Sequence, residues 1–381
     1  MRRRYFLLGP MLAARAKAAP QRLVAIMLVD GFGLEYFERS DMPNLKRLAT
    51  EGLFHAAKGM IPSVTNVNNA SVVTGCFPED HGITANFWRK PDTREWSEMD
   101  TADLLLRPTL FERWRSRGRK TAIVSAKAKI WSLCGRGADI QFCAEKPSAA
   151  AVADVGPKPD MYSPASNYWT MQAALHAVRQ KVDLLYISTT DYMMHTYPPE
   201  DARSLEHLHR LDAFIGDLVN ASPRMEFYLT ADHGMTAMRE AVDIDRVLVR
   251  NSIEGETVPI IRDKHRVHHQ NLGGSGYIML KNQADARRAA DVLRNTEGVE
   301  EVYLRPEAAR LFRLAPDRIG DVMILAKKGI AFGSRERERE PVTVRSHGSR
   351  HEATVPVIAW GRKFDPAAYR YNMDITRQLE A

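Results

Sequence analysis

Cysteine is scarce in this chain, and the little there is makes no pattern. Cys76, Cys134 and Cys143 are an odd number that cannot pair completely. Their spacing matches no zinc ribbon and no C-x-x-C redox motif, so a disulfide scaffold and a cysteine metal site are both excluded. At most one disulfide is allowed, and only if the chain is exported. Long apolar runs are missing too: no stretch approaches the roughly 18 residues that a membrane-spanning helix needs, and no stable membrane anchor is expected. Low-complexity blocks and internal repeats are absent, which excludes solenoids, fibres and disordered tails. The net charge of +7 is largely terminal, because residues 1–19 carry Arg2, Arg3, Arg4, Arg15 and Lys17 and no acid. A nucleic-acid binder keeps its basic stripe within the fold, so nucleic acid is not an expected partner.

What is present is a chain of 381 residues, 44% hydrophobic, long enough for a large domain carrying a smaller insert. Its amino terminus has a basic region, a short apolar stretch from Tyr5 to Ala14, and small residues in Ala-x-Ala register at Ala14, Ala16 and Ala18. That layout predicts a cleavable signal over residues 1–19, with Arg3-Arg4-Tyr5-Phe6-Leu7 resembling a twin-arginine motif, and hence a periplasmic or secreted protein, the alternative being a frayed basic tail that is not cleaved and a cytoplasmic protein. From Leu23 onward, buried strands are expected at Leu23–Val29, Thr121–Ser125, Val182–Ser188, Glu226–Thr230 and Val355–Trp360. Helical patterns at Pro43–Glu51, Leu110–Arg117 and Pro199–Val219 separate them. Such alternation predicts an α/β fold with a mostly parallel sheet covered on both faces. The pattern changes between Ile244 and Leu325, where a strand (Gly276–Leu280), a helix (Ala284–Asn295) and a strand (Val299–Leu304) predict an inserted α+β cap. The expected organisation is therefore a catalytic domain of residues 20–243 and 326–381, interrupted by a cap at 244–325.

Three core strands end in an acid: Asp30, Asp191 and Asp232. In parallel sheets the carboxyl ends of the strands form the ligand crevice. A lone aspartate there is usually a helix cap. Here Asp191 is followed by His195 on the same face of a helical turn, and Asp232 is followed directly by His233. Two Asp/His pairs and a third Asp suit two metal sites, with zinc favoured and manganese or iron compatible with the same ligand types. A further imidazole should complete the set. His347 is the first candidate and His351 the fallback, while His268 and His269 read as surface or cap-packing residues. Thr65, in a polar segment that enters an apolar run, is placed like a nucleophile at a helix start, where amide groups favour an anionic phosphoryl group.

Asp30, the Thr65 segment, His81-Gly82-Ile83, Asn86, the Asp191/His195 pair, Thr230-Ala231-Asp232-His233-Gly234-Met235 and Arg345-Ser346-His347-Gly348 together resemble the alkaline phosphatase superfamily, in its type I phosphodiesterase/nucleotide pyrophosphatase branch. The resemblance runs from about Leu23 nearly to the carboxyl terminus. It implies an alkaline-phosphatase-like sandwich and two zinc ions per chain, one held by Asp191, His195 and His347, the other by Asp30, Asp232 and His233. It also implies Thr65 as nucleophile and metal ligand, and Asn86 as a contact for phosphoryl oxygens. Within that branch, Thr65-Asn66-Val67-Asn68-Asn69, the Asn86-Phe87 step and Ser125-Ala126-Lys127-Ala128-Lys129 resemble the phosphonoacetate hydrolases. That likeness implies a small phosphonate or phosphate-ester substrate contacted by Lys127 and Lys129, and carbon–phosphorus cleavage through a phosphothreonine; a phosphodiesterase or nucleotide pyrophosphatase with the same metal site is the alternative, and a non-catalytic metal or phosphonate binding protein a remote one.

Overall fold

The structure is a computed structural model that describes residues 22–380 except 91, 92, 94, 223 and 263–265. The expected signal at residues 1–19 lies outside the described residues. In chain order the strands are β1 (Leu23–Leu28), β2 (Leu53–Lys58), β3 (Phe87–Arg89), β4 (Trp96–Glu98), β5 (Thr121–Ser125), β6 (Ile140–Cys143), β7 (Leu184–Ser188) and β8 (Met225–Thr230). They continue as β9 (Thr236–Val242), β10 (Gly255–Pro259), β11 (Ser275–Leu280), β12 (Val299–Leu304), β13 (Val322–Ala326), β14 (Ile330–Phe332), β15 (Arg339–Ser346) and β16 (Thr354–Trp360).

The main sheet has seven strands in the order β2-β16-β8-β1-β7-β5-β6. Strands β8, β1, β7, β5 and β6 run parallel, and β16 pairs antiparallel with β8 and β2. Every residue of β1, β5, β7 and β8 is buried, which explains why they read as continuous apolar runs. Alternate residues of β1 serve opposite faces. Val24, Ile26 and Leu28 pack with Val67, Val72, Leu110, Phe111, Ile130 and Leu133, from helices Thr65–Thr74, Leu110–Ser116 and Ala128–Cys134. Ala25 and Met27 pack with Leu45, Leu48, Trp169, Leu208, Leu211 and Ile215, from helices Pro43–Glu51, Ala165–Arg179 and Ala202–Asn220. Each such side chain contributes about 1.5–3 kcal/mol by leaving water, so the two-faced core holds the strand ends in fixed positions.

The region of changed pattern folds as a four-stranded antiparallel sheet, β10-β11-β13-β12. The β11–helix–β12 unit is split, because β13 lies between its two strands. Its helix spans Ala286–Arg294, shorter than the pattern predicts, since residues Gln283–Asp285 form a tighter turn capped by the Asn282 side chain. A third sheet, β14-β9-β15, starts just beyond the Asp232–His233 step. Ser346 at the end of β15 pairs with Thr236 at the start of β9, so the residue after β15, His347, lies beside His233. The three cysteines are all free.

Candidate active site

The acids and Lys127 gather at the carboxyl edge of the parallel strands. Asp30 follows β1, Lys127 follows β5, Asp191 follows β7 and Asp232 follows β8. Asp30, Asp191, His195, Asp232, His233 and His347 are all buried. Thr65 opens a helix whose ten residues are buried throughout, and its Oγ1 lies 3.4 Å from His233 Nε2. A cavity of about 250 Å³ opens onto this edge, lined by Thr65, Asn86, Lys127, Lys129, Asp191, His195 and His347 among others. The topology thus brings every expected site residue to one place. His351 is not among them: its Nε2 pairs with Glu300 at 2.6 Å, away from the cavity.

The imidazoles are oriented in one common way. His195 Nδ1 lies 2.6 Å from Arg345 O, His233 Nδ1 lies 3.0 Å from Gly234 O, and His347 Nδ1 lies 2.8 Å from Ser63 O. A carbonyl can only accept, so each Nδ1 carries the proton and each Nε2 is left as a lone-pair donor. Those Nε2 atoms face carboxylates: His195 to Asp191 at 3.0 Å, His233 to Asp30 at 3.4 Å and to Asp232 at 3.5 Å, and His347 to Asp191 at 3.9 Å. Burial pushes His233 and His347 below the ordinary imidazole range, which keeps them neutral, the form that binds metal.

Charge is unbalanced at the centre. Lys127 Nζ donates to Asp30 Oδ2 and Asp191 Oδ1, each at 2.6 Å. Burial alone would lower the lysine, but the two carboxylates outweigh it and hold the ammonium charged. Burial likewise pushes Asp191 upward, yet Lys127 and His195 pull it well below the usual carboxylate range. For Asp30 burial wins, reinforced by Asp191 and Asp232, and its carboxyl is raised. Asp232 is raised to about 6 for the same leading reason. One Asp232 oxygen accepts from Gly31 N and His233 N, but its Oδ2, like Asp30 Oδ1, is buried with no hydrogen-bond partner among the described residues. Orphaned buried carboxylate oxygens are costly unless a cation completes them.

The donor set fits metal ions. Ligand atoms of Asp30, Asp232 and His233 lie within 4.8 Å of one another, matching the second expected set. Around Asp191 the grouping is broader than expected: it closes with His195 and His268, and separately with His233 and His347. The His347 ring lies flat on His233, with centroids 3.4 Å apart. His268 is the residue that sequence reading set aside; its only signal was an adjacent histidine pair inside the insert.

Asn86 Oδ1 accepts from Asn66 N at 2.9 Å, which leaves its Nδ2 as the donor available to a ligand in the cavity. Ala128 N donates to Glu145 Oε2 at 2.8 Å and Ser125 Oγ donates to Lys127 O at 2.9 Å, holding the helix start that presents Lys127 and Lys129. A hydroxyl at a helix start, paired Asp/His donor sets and a cation-lined cavity lie together on an alkaline-phosphatase-like fold, an arrangement suited to metal-assisted phosphoryl chemistry. The type I phosphodiesterase / nucleotide pyrophosphatase family profile matches residues 24–350, and the chain belongs to that family. Among solved structures it is similar to phosphonoacetate hydrolase from Sinorhizobium meliloti 1021 in complex with phosphonoacetate, with a TM-score of 0.86, 28% identity and 94% of each chain covered. Murine ectonucleotide pyrophosphatase / phosphodiesterase 5 in complex with AMP shares the fold, with a TM-score of 0.68, 16% identity and 94% of each chain covered. Among curated proteins, the bis(5'-adenosyl)-triphosphatase ENPP4 of Bos taurus is 26% identical over 236 residues, which is 58% of this chain and 49% of that one. The chain thus spans about half the length of that relative, and 64% of its Xenopus laevis counterpart at 22% identity. No helix among the described residues is long and apolar enough to cross a membrane.

Proposed function

We propose that this hydrolase cleaves the carbon–phosphorus bond of phosphonoacetate, giving acetate and phosphate. The observation that carries this reading is the placement of Lys127, its ammonium seated between Asp30 and Asp191, on the same cavity wall as Lys129. Likeness to the phosphonoacetate hydrolase structure over nearly the whole chain supports it.

Two zinc ions, one held by Asp191, His195 and His347 and the other by Asp30, Asp232, His233 and Thr65, would supply Lewis acidity and lower the proton affinity of the Thr65 hydroxyl. Thr65 Oγ1 attacks phosphorus, the P–C bond breaks, and its electron pair passes into the acetate carboxylate as an enediolate. Lys127 and Lys129 stabilise the charge that develops there, and they act more strongly on the transition state than on the ground state. Protonation at carbon gives acetate. Asn86 Nδ2 holds a phosphoryl oxygen during transfer, and water then hydrolyses the phosphothreonine to phosphate. The amino end of the helix that begins at Thr65 would favour an anionic phosphoryl group there.

A second reading, nucleotide or phosphodiester hydrolysis on the same donor set, draws on the family and on Trp131 and Tyr162, which offer stacking faces on the cavity wall. Phosphate release from phosphonoacetate, compared with cleavage of bis-p-nitrophenyl phosphate, separates the two. Lys129→Ala is the cleaner variant, because Lys127 also touches two of the metal-binding acids. The expected loss in kcat/KM is on the order of 100-fold on phosphonoacetate and under about 10-fold on the diester, whose leaving group has no carboxylate. Equal losses on both would transfer the conclusion to the diesterase reading.

A further inference from the structure

His268 lies on the short helix Arg266–His269 of the insert, opposite the strand ends that carry the acids. A ring nitrogen of His268 lies within 4.8 Å of the ligand atoms of Asp191 and His195. Its ring is packed among Tyr162, Tyr192 and His195, at centroid distances of 6.0, 6.0 and 4.8 Å. That aromatic surround fixes the ring but supplies no hydrogen bond: Nδ1 is buried and has no partner among the described residues. Its neighbour differs. His269 Nδ1 accepts from Asn271 N at 2.9 Å, so that imidazole organises the following turn.

We infer that His268 is a ligand donated by the insert to the metal at Asp191 and His195, joining insert and core across one ion. This rests on the metal-dependent reading above and adds a residue to it. Asp191 and His195 are two of the donors expected at this metal, and among the described residues they group with His268, whereas His347 groups with Asp191 and His233, so His268 would add an imidazole to that set. His268 would then compete with an entering anion for that metal. The device ties metal retention at this site to the packing of the insert.

Cobalt uptake by the full-length protein tests the inference without reference to turnover. The parental chain should take up two cobalt ions with no sulfur-to-cobalt charge-transfer band, since its three cysteines lie outside both donor sets. His268→Cys should keep both ions and gain that band, and phosphonoformate, an anion that should enter the site, should bleach it. His268→Ala should lose one of its two ions to a chelator at least about tenfold faster than the parent. Two bound cobalt ions in His268→Cys with no charge-transfer band would overturn the assignment, as would parental release kinetics in His268→Ala. A parental protein that takes up no cobalt would overturn the metal reading itself, and the role of His268 with it.

Discussion

Each site imidazole is tied through Nδ1 to a backbone carbonyl, and this decides the chemistry at the scale of single residues. The tautomer is set by the chain, so Nε2 is ready for a metal without any rearrangement. Thr65 is set with the same economy: its side chain faces His233, and its carbonyl accepts from Asn69 Nδ2 at 3.0 Å. On the proposed mechanism, removing the hydroxyl deletes the attacking atom but leaves the electrostatic frame. Thr65→Ala should retain two metal ions and lose on the order of 10³-fold or more in kcat, while Thr65→Ser should recover much of that loss. Metal analysis beside steady-state kinetics checks both halves. An alanine variant turning over at the parental rate would reduce Thr65 to a helix start. At this scale the positions of the Asp/His pairs and of Thr65 were legible in the sequence as candidates, because each lies at a strand end or helix start that local patterning marks. His268 was not legible, since its partners are 73 or more residues away in sequence and only the insert's folding brings them together.

Among the elements, helix Thr65–Thr74 is unusual in being polar and wholly buried. Its asparagines explain how that is tolerated. Asn69 Oδ1 accepts from Tyr186 Oη at 2.8 Å and from Ser188 Oγ at 3.3 Å, linking the helix to β7. Asn68 Oδ1 accepts from Met60 N at 2.7 Å, linking it to the loop before it. A buried hydroxyl left without its acceptor costs about 1–3 kcal/mol. Asn69→Ala should therefore lower unfolding free energy by about that amount in urea titrations, with a fall in kcat beyond it because Thr65 loses its anchor. A stability change under about 0.5 kcal/mol would show that water replaces the amide. The sequence read this segment as a capped helix with a nucleophile; that its polar side chains form the seam to the sheet depends on β7 crossing beneath them. The insert shows the same limit. Its β-α-β pattern was local and legible, but the entry of β13 between the two strands comes from a segment beyond the pattern.

For the molecule as a whole, three buried carboxylates around one ammonium make the metal-free state an incomplete one. Metal binding should stabilise it by about 2.7 kcal/mol for each site at a free concentration near 100 times the dissociation constant. The pH dependence follows from Asp232. Its folded value of about 6 lies above its ordinary 3.8, so the metal-free fold holds this proton more tightly than the unfolded chain does. The resulting stability is fully present below 3.8 and is lost as pH rises through about 6. Metal must displace that proton, so its stabilising effect grows over the same interval. Thermal melts with and without chelator should show a clearly larger difference in Tm at about pH 7.5 than at about pH 5. Equal differences at the two pH values would count against Asp232 as a ligand.

The sequence by itself determined the layering, because buried parallel strands must be apolar on both faces and helices must be apolar on one. It also determined which residues could do chemistry, since polar groups at the ends of apolar strands have few other reasons to be there. Tertiary structure decided the rest: that β9 and β15 bring His347 against His233, that Lys127 from β5 reaches between Asp30 and Asp191, and that the insert delivers His268 to their edge. Those are meetings of distant segments. Local patterning carries the burial of each strand, but the order in which strands lie side by side follows from crossovers and packing, and that order is what gathers six scattered candidate donors at one site.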